Sequence, residues 1–176
     1  LIDRNPATSA YSLGAGLMAL GVQALASSDL RRRVRPVLRT LARETGETAF
    51  AVHYSHGDIA YLHDCVSNRD IRLGKRTGMR APPWKHAAGK AILAFRDETT
   101  VLAELAAARR QCRGLPTVTE FRRELRRVRR QGYAVERDAE KCLVAVPLPA
   151  DTAPVRAALM VGGPASRLPR PGVGPL

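Results

Sequence analysis

Two apolar-alternating runs, ETAFAVHYS over 47–55 and DIAYLHDCV over 58–66, are separated only by His56-Gly57. A two-residue X-Gly connection between such runs commits the middle of the chain to an antiparallel hairpin. The turn also fixes the pairing, because side chains alternate faces along a strand and a slip of one residue would invert them all. Ser55 then faces Asp58 and His53 faces Ala60. In an unbroken register His53 lies on the opposite sheet face from His63 and Cys65, so these three do not share a metal. His86, Cys112 and Cys142 show no ligand spacing.

The remaining elements arrange themselves around this hairpin. Leu13 to Ala26 has apolar residues at near-helical spacing, and Ser27-Ser28-Asp29 caps a second helix whose stripe of Leu30, Val34, Val37, Leu38 and Leu41 ends at Gly46. Pro36 inside it predicts a kink or a break. A third strand is expected near Ile71-Arg72-Leu73, followed by the irregular GKRTGMRAPPW and a helix from His86 to Phe95. Asp97 caps a helix over 98–109, and Thr117 with Glu120 forms a capping-box pattern for FRRELRRVRRQ, closed by Gly132. YAVER, CLVAVPL and PVRAALMVG read as closing strands. The order of helices, strands, helices and strands, with hairpins at both ends, predicts an α+β domain around an antiparallel or mixed sheet rather than a doubly wound parallel one.

At 176 residues the chain is expected to hold one main domain, and no apolar stretch approaches the length of a membrane span. Three widely spaced cysteines argue against a disulfide framework and point to a reducing compartment, the cytoplasm. The chain carries neither an initiator Met nor a signal-type segment, which reads as a piece of a longer protein. A net charge of +13 suits an anionic partner such as nucleic acid, whereas 5% aromatic residues argue against single-strand stacking.

KHAAGKAILA, residues 85–94, places a Gly-Lys pair at a loop-to-helix junction. A P-loop needs glycine five positions earlier and Ser or Thr after the lysine, and here those places hold Trp84 and Ala91. What remains is a helix start with small side chains whose free N–H groups can receive a carboxylate, or small residues required for tight packing on a sheet. No nucleophile elbow or paired cysteine and histidine suggests catalysis. Glu136, Asp138 and Glu140, interrupted by Arg137 and Lys141, read as a solvated turn. Arg122, Arg123, Arg126, Arg127, Arg129 and Arg130 lie opposite an apolar stripe of Phe121, Leu125 and Val128, as a wet face or a phosphate-tracking surface.

In order, YSLGAGLMALG, LARETGETAFAV, IAYL, KHAAGKAILA, LPTVTEFRRELRRVRRQGYAVE and VRAALMVGGPASRL resemble the effector-binding domain of IclR-type bacterial transcription regulators. LIDRN resembles the last strand of that family's winged helix-turn-helix. The resemblance implies a GAF-like α+β fold over 29–168, a curved, mainly antiparallel sheet of about six strands with flanking helices. It makes 1–12 a remnant of the winged helix-turn-helix and the start of a linker, 13–28 a linker helix, and 169–176 an irregular tail. It further implies a small organic acid effector, homodimers or tetramers, DNA contacted through the missing domain, and no catalysis, cofactor, metal or membrane. By the same resemblance the acid is received at Ala87 and Ala88 beside His86. Glu136, Cys142, Met160 and Gly162 line the pocket, Leu73 and Ala81 form apolar walls, and Trp84 stands at the mouth where the family commonly has His. The alternatives are a ligand-free oligomerisation core, or direct nucleic-acid contact through the arginine helix.

Overall fold

The computed structural model describes residues 2–6, 8–13, 16, 29–149 and 154–168. The chain divides into two compact units, Leu1–Val34 and Arg35–Leu176. In the first, β1 (Ile2–Arg4) pairs antiparallel with β2 (Tyr11–Leu13), Ile2 opposite Leu13. The helix expected over Leu13 to Ala26 lies outside the described residues.

Helix α1 (Asp29–Thr45) begins in the first unit and ends in the second. It opens on Asp29, which pairs with Arg32 and Arg33 one turn on. Pro36 does not break it; the proline sits on the exposed side of the helix, where a carbonyl left without a partner is open to solvent. The chain leaves α1 through Gly46 at φ +68°, and the Arg69 guanidinium lies where a side chain on Gly46 would stand.

The second unit continues through β3 (Thr48–Ser55), β4 (Asp58–Cys65), β5 (Arg80–Ala81), α2 (Ala87–Leu93), α3 (Glu98–Gln111) and α4 (Val118–Gln131). It closes with β6 (Ala134–Arg137), β7 (Lys141–Leu148) and β8 (Ala157–Pro164). The strands form one six-stranded sheet in the order β5-β4-β3-β8-β7-β6, every neighbour antiparallel, as expected for the α+β reading. His56 (φ 51°) and Gly57 (φ 82°) both adopt the left-handed conformation, the type I′ turn that matches strand twist. Ser55 pairs with Asp58 and His53 with Ala60.

Beyond that point the parity expected from the turn fails. A bulge between Ala51 and Val52 sets Val52 opposite Tyr61 but Ala51 opposite His63 and Ala49 opposite Cys65. One extra β4 residue inverts the alternation, so His63 and Cys65 share the face of His53 instead of opposing it. Among the described residues no group of three His, Cys, Asp or Glu is placed to hold a metal. The expected strand at Ile71–Leu73 is also absent; the sheet edge is Arg80–Ala81, paired with Ile59 and Ala60. Residues 71–73 are held by side chains instead, Thr48 Oγ1 donating to Leu73 O and Arg167 to Ile71 O.

One face of the sheet carries the main core, with Phe50, Val52, Met160, Leu143 and Ala145 buried against α2, α3 and α4. Helix α2 lies directly on that face. Gly89 makes the approach possible: a Cβ there would stand 2.2 Å from Pro83 O and 2.5 Å from Pro83 Cα. Gly89 of KHAAGKA therefore packs against protein backbone, and the outer helices are set by their caps. Asp97 accepts from Thr100 N at 2.7 Å, and Thr117 and Glu120 complete the expected capping box before α4 ends at Gly132.

Candidate effector site

Strand register places the site. Thr48 pairs with Gly162, Gly162 with Leu143, and Leu143 with Glu136, so these four form one row across β3, β8, β7 and β6. Paired residues share a face, and this row faces α2. Gly162 leaves the floor low: Leu73 Cδ1 and Leu143 lie 2.7 and 3.0 Å from where its Cβ would be. The next row, Phe50, Met160, Ala145 and Ala134, continues the apolar floor.

At the β6 end of the row the carboxylate of Glu136 meets the start of α2. Its Oε2 accepts from Ala87 N and lies equally close, 3.2 Å, to His86 Nδ1. Its Oε1 lies 3.3 Å from Lys141 Nζ. The first amide of a helix has no partner inside the helix and carries the positive end of its dipole, so an anion is stabilised there. Burial alone would raise the pKa of Glu136. The His86 hydrogen bond and charge, the Ala87 amide and Lys141 outweigh that and hold it at about 2. Glu136 is thus a partly buried anion at neutral pH, seated where an external carboxylate was expected.

Reading residues 136–140 as a solvated turn holds for Asp138 and Glu140, which are exposed. Asp138 Oδ1 accepts from the amides of Glu140 and Lys141, which closes the short β6–β7 connection without glycine. Glu136 points inward instead, two residues after buried Ala134 on the same face. That alternation was present in the sequence, but the neighbouring charges masked it.

The structure brings His86, Ala87 and Glu136 together, sets Leu73 against Gly162 further along the same row, and buries Ala88 and Met160 in the core. It places Cys142 and Ala81 differently, Ala81 packing with Leu73 against the same core. Cys142 is buried on the other sheet face, paired with Arg137 and Gly163 and out of phase with Leu143. Ala81 lies in β5, at the opposite edge of the sheet from the β6 strand of Glu136. Trp84 is buried edge-on against Phe121, ring centres 5.7 Å apart, and lines an open cleft of about 640 Å³ with Lys85, Lys90, Leu115, Phe121 and Arg123. Lys90 of the Gly-Lys pair points away from the helix start: its Nζ donates to Val135 O at 2.5 Å and pairs with Glu124 at 3.4 Å, tying α2 to β6 and α4. Sequence reasoning missed three contributors: Lys141, Leu143 and Thr48. The last two follow from register alone once the pairing is known.

Residues 22–174 match the family described as bacterial transcriptional regulator IclR C-terminal. The chain belongs to the IclR family. The HTH-type transcriptional regulator KdgR of Escherichia coli is 34% identical over 134 residues, which is 74% of this chain and 51% of that protein. Glycerol operon regulatory protein of Streptomyces griseus is 30% identical over 138 residues, 77% of this chain and 54% of that protein. The chain thus spans about half the length of these curated relatives, which are named as regulators rather than enzymes. The crystal structure of the C-terminal domain of E. coli KdgR superposes with TM-score 0.66 at 30% identity, covering 81% of this chain and 85% of that one. An IclR-family regulator from Brucella abortus shares the fold with TM-score 0.81 at 23% identity, covering 96% of this chain and 66% of that one. The six-stranded antiparallel sheet with flanking helices is therefore that of the IclR C-terminal domain. No described helix is long and apolar enough to cross a membrane.

Proposed function

We propose that this chain is the ligand-sensing part of a DNA-binding transcription regulator and that it senses a small organic acid by exchange of carboxylates at α2. The observation that carries this reading is the seating of Glu136 on Ala87 N and His86, beside its paired neighbour Leu143 at the end of the row that Leu73 covers at Gly162. An incoming acid takes the place of Glu136 Oε2, bonding the amides of Ala87 and Ala88 and the His86 ring. Glu136 then turns toward Lys141. The body of the ligand takes the place of the Leu73 side chain, which packs on Gly162 when no acid is present. Binding moves Leu73, whose carbonyl is held by Thr48 two residues after Gly46, and so reaches the end of α1. In a dimeric or tetrameric regulator whose DNA-reading domains precede this chain, that displacement couples effector to operator. Such coupling is reciprocal and amounts to about 1–3 kcal/mol.

Thermal-shift titration with acetate, succinate and benzoate, on the chain and on Glu136→Gln, tests the exchange. The neutral variant is expected to bind the acid more tightly, because the resident anion no longer competes. If no acid raises the melting temperature of either protein, the acid-sensing reading is wrong.

The occupied seat also favours a second reading, a ligand-free oligomerisation core in which Glu136 permanently caps α2. That reading predicts no response to any acid, together with an association state that is unchanged by them in sedimentation.

A further inference from the structure

We propose that the outer face of α4 is a docking surface for the phosphate backbone of duplex DNA. Phe121, Leu125 and Val128 are buried to 1% exposure or less and fix the helix by its inner side. Arg122, Arg123, Arg126, Arg127 and Arg130 are all exposed on the outer side. The neighbouring carboxylates are already engaged. Glu98 holds Arg122 and Arg129 at 3.2 and 2.7 Å, Glu124 holds Arg127 at 2.8 Å, and Glu120 is tied into the capping box. Arg123, Arg126 and Arg130 make no hydrogen bond or close ion pair among the described residues, although Arg126 lies within the field of Glu98 and Arg123 within that of Glu120.

From Arg122 to Arg130 is about 12 Å along the helix at 1.5 Å per residue. The same length of duplex carries about seven phosphate charges. Arg123, Arg126 and Arg130, flanked by Arg122 and Arg127 on their carboxylate partners, match a polyanion better than a single small anion, and arginine's planar fork suits phosphate oxygens. Two features select duplex DNA among polyanions. An anionic membrane would require apolar side chains beside the cations, but those of α4 are turned into the core. A single strand would require aromatic platforms, and α4 has no aromatic residue besides buried Phe121. The surface reads no bases; it adds salt-sensitive affinity to whatever sequence an accompanying DNA-reading domain selects.

The test is anisotropy of a labelled 20-base-pair duplex of arbitrary sequence, titrated with the 176-residue chain at several KCl concentrations. Log affinity is expected to fall linearly with log salt. The triple variant Arg123→Ala, Arg126→Ala, Arg130→Ala is expected to lessen the slope by about 2.7, from about 0.9 for each phosphate no longer neutralised. The corresponding triple Lys variant keeps the charges and is expected to restore the slope, which separates this effect from any loss of fold. Removing three exposed arginines of α1 instead, Arg35, Arg39 and Arg43, is expected to leave the slope in place. The proposal is overturned if the α4 triple Ala variant binds like the parent or if the α1 triple has the same effect. It is equally overturned if the single strand binds as tightly as the duplex, or if phosphatidylserine vesicles capture the chain while the duplex does not.

Discussion

Replacing Glu136 by Gln isolates the charge at the helix start, because the amide oxygen still accepts from Ala87 N while the negative charge is gone. The carboxyl is held at about 2, against 4.5 for a free side chain. At 1.36 kcal/mol per factor of ten in proton affinity, that difference corresponds to about 3 kcal/mol of stability at neutral pH. The figure is an upper value, since Gln recovers part of the hydrogen bonding and water screens the part of the group that it reaches. The sign follows from the direction. A carboxyl whose folded pKa is depressed stabilises the fold above 4.5, where the unfolded side chain is also ionised, and the contribution fades as pH falls towards 2. Urea unfolding from pH 7 down to pH 3 should therefore show Glu136→Gln about 1–3 kcal/mol less stable at pH 7, with the gap narrowing steadily below about 4.5. A gap that stays constant from about pH 7 to pH 3, or a variant at least as stable as the parent, would show that the carboxylate does not sit on Ala87 and His86 in solution.

Gly89→Ala decides whether α2 truly touches the Pro83 backbone. Helix propensity alone would stabilise the variant by about 1 kcal/mol, whereas overlap with backbone atoms costs about 1–3 kcal/mol or more, so a lowered melting temperature is expected and a raised one refutes the close approach. Thr117→Ala removes the capping-box acceptor of α4 and should cost about 1 kcal/mol in chemical denaturation. Glu47 is buried to 2% of its side-chain surface beside Arg167 and Arg69, and it lies over Gly163. Glu47→Ala and Arg167→Ala should each destabilise, and the double variant should lose less than the two single losses together, because each single change strands a partner.

How much of this was legible in the sequence varies by element. The capping box of α4 and the Asp97 cap were readable because a few adjacent side chains bond their own backbone, and the His56-Gly57 turn because its glycine readily takes the left-handed conformation. The core stripe of α4 was readable because a 3.6-residue period exposes it. Glu136 was harder: its inward direction was encoded in two-residue alternation, but Asp138, Glu140 and Lys141 beside it gave the local appearance of a wet turn. Cys142 and Ala81 were expected at the site by resemblance. The fold puts one on the other face of the sheet and the other on the far edge strand, which only the pairing of β4 through β8 could decide.

The chain's own order of residues settled the hairpin, the helices α2 to α4, the α+β class and the family, since these follow from short-range periodicity, turn chemistry and segments that keep their sequence, while the Arg80–Ala81 edge strand was not legible in it. Three matters waited for tertiary structure. One bulged residue in β4 inverted the faces of His63 and Cys65. The close backbone of Pro83 gave Gly89 its purpose. The packing of α2 on β6 delivered an internal carboxylate to an amide about fifty residues away in sequence. Each is a long-range effect, and no local pattern carries the distance between residues that the chain brings together only when it closes.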